Sequence, residues 1–567
     1  MASGRGTIVE KPGERALEMG ATAEQRATQS TISAKSVGAA SYEMLQCDLF
    51  CPREDGVASF SLADMFVELS IFEDLYNNVL SGSITLRDAG GNLESLPIIG
   101  EETLMIHART IGADSLQPSS SGKSQEISNE FRVVSISNIT EEKDRVKVYT
   151  LNFISPEYVE NLSKKVQRSF PNSGGQGMSI SDMISKIYDD QFPETRHKLN
   201  PSNIEETKGM HKITIPNMTP FGAINFLSSR AVSEDNPDGS LFFFYETFGT
   251  TTFGGGFRFE SAETLMYDQE ASATYVYTPQ NVGESPGTNL YVAENPEQVS
   301  TFDVLSNMTA GMYNSRLITH DIVRMKYSVL NFNYIPQVKS STAIEYDEDG
   351  EEMTITTENP DAGAGDKNWP DHQTHSFIND TFKHLEMTAS TIGNRLSTDK
   401  LDAAKTPVKK YNPSVVKMFP TNNNHDIIFN QTDSGISDKG EFGEPNIKSN
   451  QVEKWMLQRP AQLQMLSNIR IRFTVAGDTT RHVGDVVNFD MPSHVTNQGN
   501  QFYRGRYLVT QVRHRFGPTE FKTEMELAKD SFNTRLDMQK GTYGASQSAV
   551  MGPNTTKGSF GGEELTF

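Results

Sequence analysis

Two pairs of neighbouring histidine and carboxylate residues are the first candidates for chemistry in this sequence. His320-Asp321 and His482 to Asp485 each bring an imidazole close in sequence to a carboxylate, as general acid–base catalysis requires. A catalytic pair usually also needs a nucleophile, and no G-x-S-x-G elbow or catalytic cysteine motif accompanies either pair. Carboxylates are also too abundant here, at 73, to single out a glycosidase-like couple. These pairs therefore carry no positive signal for catalysis.

Two histidines stand three residues apart in Asp371-His372-Gln373-Thr374-His375. This spacing could bind zinc on a helix, because both side chains would then lie on one face. Pro370 precedes the segment, however, and neither a third ligand nor a glutamate between the histidines is present. We interpret them as solvated loop histidines.

An acidic segment has part of the pattern of a calcium-binding loop. Glu345, Asp347, Asp349 and Gly350 occupy its positions 1, 3, 5 and 6, but position 12 is Thr356, where a bidentate glutamate is required. The alternation of apolar residues on both sides of Asp349-Gly350 instead predicts a solvated β-hairpin.

Cys47, Cys51 and the glycine run 254–256 complete the candidates. On a strand the two cysteines would lie about 13 Å apart, too far for a disulfide. We predict that they are small core or half-exposed residues. The glycine run lacks the spacing and the following Lys-Ser/Thr of a phosphate loop, so we interpret it as a bend before a strand. The sequence thus predicts no catalytic, cofactor-binding or metal site, and no cofactor.

Length and composition exclude several classes of protein. The chain has 567 residues, 2 cysteines and a net charge of −22. Few cysteines exclude a disulfide-stapled secreted scaffold, and the acidic balance argues against a protein that grips nucleic acid by neutralising phosphates. We find no apolar run of about 18 residues and no apolar signal-peptide core. We expect a large, acidic, multidomain protein made in a reducing compartment.

Hydrophobic periodicity predicts β structure at both ends of the folded region. Residues 41–155 contain six strand-like runs, typical of a small antiparallel barrel or sandwich. Residues 451–535 begin with a helical pattern and continue in four strand-like runs, typical of an antiparallel sheet or part of a barrel. Between them, 336–450 is irregular, and its segment 341–360 contains seven Asp/Glu and no Lys/Arg.

Three helix starts are predicted in the region that follows the first strands. Each has a serine or threonine before helical spacing, and two have proline at the first helical position. They are Ser155-Pro156, Ser179 or Ser181, and Thr219-Pro220. The apolar residues at helical spacing behind the first start are Tyr158, Val159, Leu162 and Val166.

Three parts of the sequence together resemble a known family. The first is VELSIFEDLYNNVLSGSITLRD at 67–88, and the second is TPFGAINFLSSRA at 219–231 with LFFFYET and GGGFRFES. The third is HVGDVVNFDMP at 482–492 with YRGRYLVTQVRHRFGPTEFKTEMEL. Together they look like the central baseplate hub protein of contractile-tailed bacteriophages. More broadly, they are similar to the hub part of type VI secretion spike proteins. The likeness covers about 41–335 and 451–535.

The resemblance implies a β-rich α+β multidomain fold with two tube-type antiparallel β-barrels and intervening α/β modules. Hubs of this family are homotrimers whose six barrels form a pseudo-sixfold ring. Such a ring adapts the sixfold tail tube, or its initiator protein, to a trimeric spike and contacts other baseplate proteins. DNA crosses its channel during ejection without specific binding. The implied location is the tail baseplate of the virion, after synthesis in the host bacterial cytoplasm and without membrane insertion.

The resemblance and the composition together predict seven segments. They are a flexible N-terminal arm at 1–40, barrel one at 41–155, a helical and α/β module at 156–268, the first part of barrel two at 269–335, a loop-rich acidic insertion at 336–450, the second part of barrel two at 451–535, and a flexible C-terminal tail at 536–567.

Two alternative functions compete with a non-enzymatic hub. A tail-associated peptidoglycan hydrolase would need a compact α-rich domain with an early catalytic glutamate, or a zinc set, and the sequence has neither signal. A secretion-system spike usually continues into a long β-prism of short glycine-containing repeats. The sequence ends in a short glycine-rich tail, which favours a hub whose spike is a separate chain.

Overall fold

The computed structural model describes residues 41–529 apart from internal gaps. The gaps longer than five residues are 92–97, 111–125, 171–176, 249–254, 278–290, 334–341, 357–414, 422–453 and 493–502. The shorter gaps are 54–55, 143–145, 194–198, 236–238, 268–270, 301–302, 313, 322–325, 347–351 and 519.

The described elements are numbered here in chain order. The first eleven strands are β1 (Tyr42–Arg53), β2 (Gly56–Ser61), β3 (Phe66–Asp74), β4 (Ser81–Asp88), β5 (Thr103–Thr110), β6 (Ile127–Glu141), β7 (Lys147–Ile154), β8 (Val166–Phe170), β9 (Ile213–Met218), β10 (Phe242–Thr247) and β11 (Gly256–Ser261). The next eleven are β12 (Thr274–Val276), β13 (Glu294–Ser300), β14 (Asn314–Asp321), β15 (Lys326–Asn333), β16 (Thr342–Tyr346), β17 (Glu352–Thr356), β18 (Val415–Thr421), β19 (Ile469–Ala476), β20 (Val486–Asp490), β21 (Gly505–Phe516) and β22 (Phe521–Lys529).

Helices are fewer and shorter. They are α1 (Pro156–Ser163), α2 (Ile180–Gln191), α3 (Pro220–Ser228), α4 (Ala262–Tyr267), α5 (Val304–Thr309) and α6 (Arg459–Asn468), with a 3₁₀ turn at Pro201–Asn203 and a π-helical turn at Lys454–Gln458. Among the described residues, no helix is long and apolar enough to cross a membrane. The fold is therefore α+β and β-rich, as the sequence predicts.

A thirteen-stranded sheet dominates the described structure. Its main order is β13-β19-β22-β21-β3-β4-β7-β6-β5-β1-β2, and β12 and β20 join it beside β21. The neighbours are antiparallel except β12 and β20, which are parallel. Strands β1–β7 enclose one apolar core because their side chains alternate between the two faces. In β4, for example, Gly82, Ile84 and Leu86 point inward.

A second core lies under the strands from the other end of the chain. Strands β19–β22, with β12 and helix α6, bury Ile471, Phe473, Phe489, Tyr507 and Met525 in one cluster. The two ends of the chain thus form two β units, each with its own apolar cluster, inside one sheet.

The α/β unit between them has an aromatic core. Strands β10 and β11 pair in antiparallel register, and the ring centroids of Phe244 and Phe257 lie 5.3 Å apart in a stacked pair. Helices α2 and α3 cover these rings with Tyr188 and Phe221. The caps form as predicted at Ser179, which accepts from the Asp182 N–H, and at Thr219, which accepts from Gly222.

Two smaller sheets complete the description. Strands β14, β15 and β18 form a three-stranded sheet in the order β15-β14-β18, with β18 parallel to β14. Strands β16 and β17 pair as the predicted acidic hairpin, with Ala343 opposite Ile355.

Candidate functional site

The two β units meet where β3 pairs with β21, a contact called here the seam. Gln511 lies opposite Asp74, and the register continues to Phe516 opposite Leu69. Strand β21 changes partner along its length, because its first residues pair with β20 and its last ones with β3. A register shift at Thr510 separates the two halves. Such a bulge adds one residue and bends the strand, which allows β21 to serve both units.

The turn after β21 reaches into the core of the first unit. Phe516 and Phe521 stack with centroids 4.1 Å apart, and both belong to the core of β1–β7. Tyr42 of β1 packs edge-on against Phe516 and donates its hydroxyl to the Gly517 carbonyl at 2.6 Å. Gly477 faces the same rings, and a Cβ there would lie 2.0 Å from Phe521. The β21–β22 turn is therefore part of the first unit as much as of the second.

A cluster of buried charged and polar residues lies behind the seam and is called here the junction. It consists of Glu73, Asp478, Arg481, His482, Asp485 and His514. Glu73 is 1% exposed and binds two other parts of the chain. Its Oε1 accepts the Phe248 N–H at 3.0 Å, and its Oε2 accepts the Val483 N–H at 2.7 Å. A buried carboxylate requires such donors, so one side chain ties β3 to the α/β unit and to the loop after β19.

His482 is fully buried, and its Nδ1 lies 3.5 Å from Glu73 Oε1. The sequence pairs His482 with Asp485, but the structure gives that carboxylate a different task. Asp485 Oδ2 accepts the backbone N–H of His482 at 2.9 Å and so shapes the loop. The carboxylate beside the imidazole comes instead from a strand at the opposite end of the chain.

Asp478 and Arg481 form the second charged pair of the junction. Arg481 Nε donates to Asp478 Oδ2 at 3.0 Å, while Asp478 Oδ1 accepts from both the hydroxyl and the N–H of Thr480. Burial alone would lower the pKa of the Arg481 guanidinium, but Tyr275, Asp478 and Asp485 raise it above its usual value. Arg481 therefore stays charged and is neutralised within the fold.

His514 lies on β21 next to this pair. Its Nε2 lies 3.3 Å from the Arg481 carbonyl, and its Nδ1 lies 3.3 Å from the Thr523 hydroxyl. Burial and the neighbouring His482 lower its pKa to about 3, although Asp478 opposes this shift. The imidazole is therefore neutral at physiological pH and supplies a donor and an acceptor to the junction.

Two threonines connect the loop to β5. The Thr110 N–H donates to the Thr479 hydroxyl at 3.0 Å, and the Thr479 N–H donates to the Thr110 hydroxyl at 2.9 Å. Both side chains are buried. This reciprocal pair satisfies two backbone donors and adds a third link between the units.

The chemistry that the junction supports is structural. Glu73, His482 and His514 are each no more than 1% exposed, so a substrate cannot reach them in this conformation. Their hydrogen-bonding groups face backbone donors and neighbouring side chains. Among the described residues, no group of three or more His, Cys, Asp or Glu has the arrangement of a metal site. The junction holds three parts of the chain in one arrangement.

The other candidates from the sequence fall in different places. Cys47 and Cys51 are buried free thiols on β1, and burial raises their pKa values to about 12 and about 11. His320 and Asp321 end β14 opposite Tyr327 and Lys326. The segment 371–375 and the acidic turn 347–350 lie outside the described residues, as does Gly254.

Sequence reasoning missed Glu73, although a signal for it exists. Strand alternation places Glu73 on the same face as Leu69 and Ile71, both of which are fully buried. A glutamate on the buried face of a strand requires donors from elsewhere in the fold. His514 follows the same rule, because it shares a face with Val512 and Phe516.

Comparisons with known proteins complete the description. No family model matches the chain, and no curated protein matches its sequence. Among solved structures, the tail protein from Neisseria meningitidis MC58 is 10% identical, with a TM-score of 0.42 over 86% of this chain and 97% of that chain. The 43 kDa tail protein of prophage MuSo2 from Shewanella oneidensis is 7% identical, with a TM-score of 0.42 over 87% and 100%. A Francisella PdpA-VgrG complex is 8% identical, with a TM-score of 0.38 over 95% and 67%. The neighbours are phage tail proteins and VgrG-type spike proteins, the class that the sequence resemblance indicates.

Proposed function

We propose that this chain is a structural protein of a contractile tail, the hub of its baseplate. In this proposal three copies form a ring, and each copy contributes two tube-type β-barrels built on the two β units. One face of the ring receives the sixfold tail tube or its initiator, and the other receives a trimeric spike. Other baseplate proteins bind around it, and no catalytic step is involved.

The observation that carries the proposal is the seam. Two β units with separate cores lie side by side in one continuous sheet, joined by β3 and β21. Three such chains would supply six β units, which is the number that a sixfold tube requires. Closed symmetric rings of identical chains are a common form of protein assembly. The seam thus supports a subunit that presents threefold and sixfold symmetry together.

The junction supports the same proposal, because an adaptor has to hold its two units in a fixed relation. Glu73, His482 and the pair Asp478–Arg481 connect β3, the loop after β19 and the end of β10. Buried ion pairs add little net stability but favour one arrangement over its alternatives, a role we assign to the junction. A change in the angle between the units would leave these charges unsatisfied.

The net charge of −22 is consistent with a channel for DNA. A surface that DNA crosses should not hold phosphates, and acidic residues repel them. We propose that part of the acidic surface lines the channel and that DNA passes without specific binding. The virion tail is the corresponding location.

Native mass spectrometry of the full chain tests the proposal. We expect the mass of three 63.0 kDa chains, either alone or after addition of a spike protein. A species that stays monomeric at every concentration and binds neither a tube nor a spike protein would overturn it. A Glu68→Gln variant is a suitable control, because Glu68 lies on β3 with its side chain 35% exposed, and the variant should assemble as the parent does.

A further inference from the structure

Three cations surround Trp455 on the π-helical turn before α6, and they are called here the cationic surface. The guanidinium carbon of Arg230 lies 5.4 Å from the Trp455 ring centroid, and Phe419 of β18 packs edge-on at 5.4 Å. Lys417, also on β18, donates to the Met456 carbonyl. Arg459 follows Trp455 by four residues and so lies on the same side of the helical segment. All these side chains are partly exposed.

The cationic surface differs from the other basic residues in lacking acidic partners. Among the described residues, no carboxylate forms an ion pair with Arg230, Lys417 or Arg459. Burial lowers the pKa of all three, and no acidic group offsets it. The Nε of Arg459 is buried, and no group within the described ranges accepts a hydrogen bond from it. Partly desolvated cations are stabilised by a negative partner, so the surface is suited to an acidic ligand.

The chain carries such a ligand close to this surface. Residues 341–360 contain seven Asp/Glu and no Lys/Arg, and β16 and β17 form a hairpin within them. This segment lies between β15 and β18, two strands of the sheet whose β18 supplies Lys417. Twelve residues separate Asn333, the last of β15, from Glu345, and they span at most about 40 Å. A short tether of this kind raises the effective concentration to about the millimolar range.

We propose that the cationic surface is the docking site of the acidic hairpin of the same chain, residues 345–352. Carboxylates of the hairpin pair with Lys417 and Arg459 and occupy the space beside Trp455. The hairpin then fixes the start of the acidic insertion against the second β unit. This inference concerns one chain alone and does not depend on the hub proposal.

Carbodiimide cross-linking of the full-length chain, followed by peptide mass spectrometry, tests the docking. The reagent joins a carboxylate to an amine only when the two are in contact, so we expect a link between Lys417 and a carboxylate within 345–352. The variant Arg459→Gln keeps both linked groups but removes one ion pair. It should lower the yield about tenfold at low salt. Raising the salt to about 0.5 M should lower the yield of the parent chain in the same direction.

Controls distinguish the docking from a merely structural role of the cations. Arg515→Gln removes a cation that is paired with Glu68 on the other side of the molecule, and it should leave the yield unchanged. The double variant Arg459→Glu with Asp349→Lys should restore the yield that Arg459→Glu alone loses. If Arg459→Gln has no effect, Lys417 serves only to cap the helical turn, and the proposal is wrong.

The source of the hairpin is tested by mixing ¹⁵N-labelled and unlabelled chains before cross-linking. Docking within one chain predicts links between peptides of the same isotope, whatever the protein concentration. Links between labelled and unlabelled peptides would mean that the surface binds the hairpin of a second copy. That result would overturn the proposal, as would the absence of any link to 345–352.

Discussion

The junction and the cationic surface use charge in opposite ways. In the junction, Glu73 and Arg481 are at least nine-tenths buried and meet their partners within the fold. On the cationic surface, Arg459 and Lys417 are half-buried and meet no carboxylate among the described residues. A sealed and paired group fixes the arrangement of the chain that surrounds it. A partly exposed and unpaired group is available to a partner, so the two regions should respond very differently to substitution.

The largest expected effect comes from removing the carboxylate of the junction. Glu73→Ala leaves the N–H groups of Phe248 and Val483 buried without their acceptor and removes the negative partner of His482. We expect a loss of about 3–5 kcal/mol in the free energy of unfolding, measured by urea denaturation. Glu68→Gln on the same strand is the matched control and should lose less than about 1 kcal/mol. Equal losses in the two variants would show that burial does not distinguish these carboxylates.

The aromatic turn at the seam should rank next. Phe521→Ala removes the ring that stacks on Phe516 and leaves a cavity in the core of the first unit. We expect a loss of about 3–4 kcal/mol in the free energy of unfolding. Tyr42→Phe keeps the ring and removes only the hydrogen bond to Gly517, which should cost about 1 kcal/mol. A Phe521→Ala variant as stable as the parent would mean that the turn does not belong to the core of the first unit.

Acid should weaken the junction through His514. Its pKa is about 3 in the fold and about 6.5 when unfolded, so between these values the unfolded chain binds more protons. Stability attributable to this group is therefore lost as the pH falls below about 6.5. By pH 5 the loss is about 2 kcal/mol. Denaturation of the parent and His514→Gln at pH 7.5 and 5.0 measures it, and the variant should show the smaller decrease. Parallel decreases would contradict the assignment.

The smallest effect is expected on the cationic surface. Arg459→Gln removes a cation that has no acidic partner among the described residues, so the free energy of unfolding should change by no more than about 0.5 kcal/mol in either direction. The same urea denaturation measures it, with Arg481→Gln in the junction as the comparison. A loss above about 1.5 kcal/mol for Arg459→Gln would place this residue in the same class as the junction.

Strand alternation and helix caps made much of the fold predictable from sequence. The strand-like runs of 41–155 appear as strands, although β2 was not predicted, and Ser179 and Thr219 cap their helices. Both glycines that the sequence marks in the last block, Gly484 and Gly505, have positive φ angles of 83° and 134°. These features depend on neighbouring residues, so local sequence is sufficient to predict them.

Helix α1 shows where local reasoning fails. The sequence predicts a capping hydrogen bond from Ser155, but its hydroxyl donates to Glu246 at 2.6 Å instead. The apolar residues at helical spacing are exposed rather than buried, with Leu162 at 59%. The helix buries Asn161, because its side chain accepts the Phe221 N–H at the start of α3. The exposed N–H groups of a second helix determined which face of α1 turned inward, and periodicity within α1 carries no trace of them.

The junction could be predicted only in part for the same reason. The buried position of Glu73 follows from alternation in β3, but its contacts with Val483 and Phe248 join residues 410 and 175 positions apart. No local pattern specifies such pairs. The seam is similar, since β3 and β21 come from opposite ends of the chain.

Electron microscopy of the assembled particle tests the central claim most directly. Two β units joined at the seam in each of three chains predict a threefold ring in which six β units surround a central channel. Class averages with that symmetry, and with the β3–β21 contact inside each subunit, are the expected result. A particle with any other symmetry, or a ring without a central channel, would contradict the account.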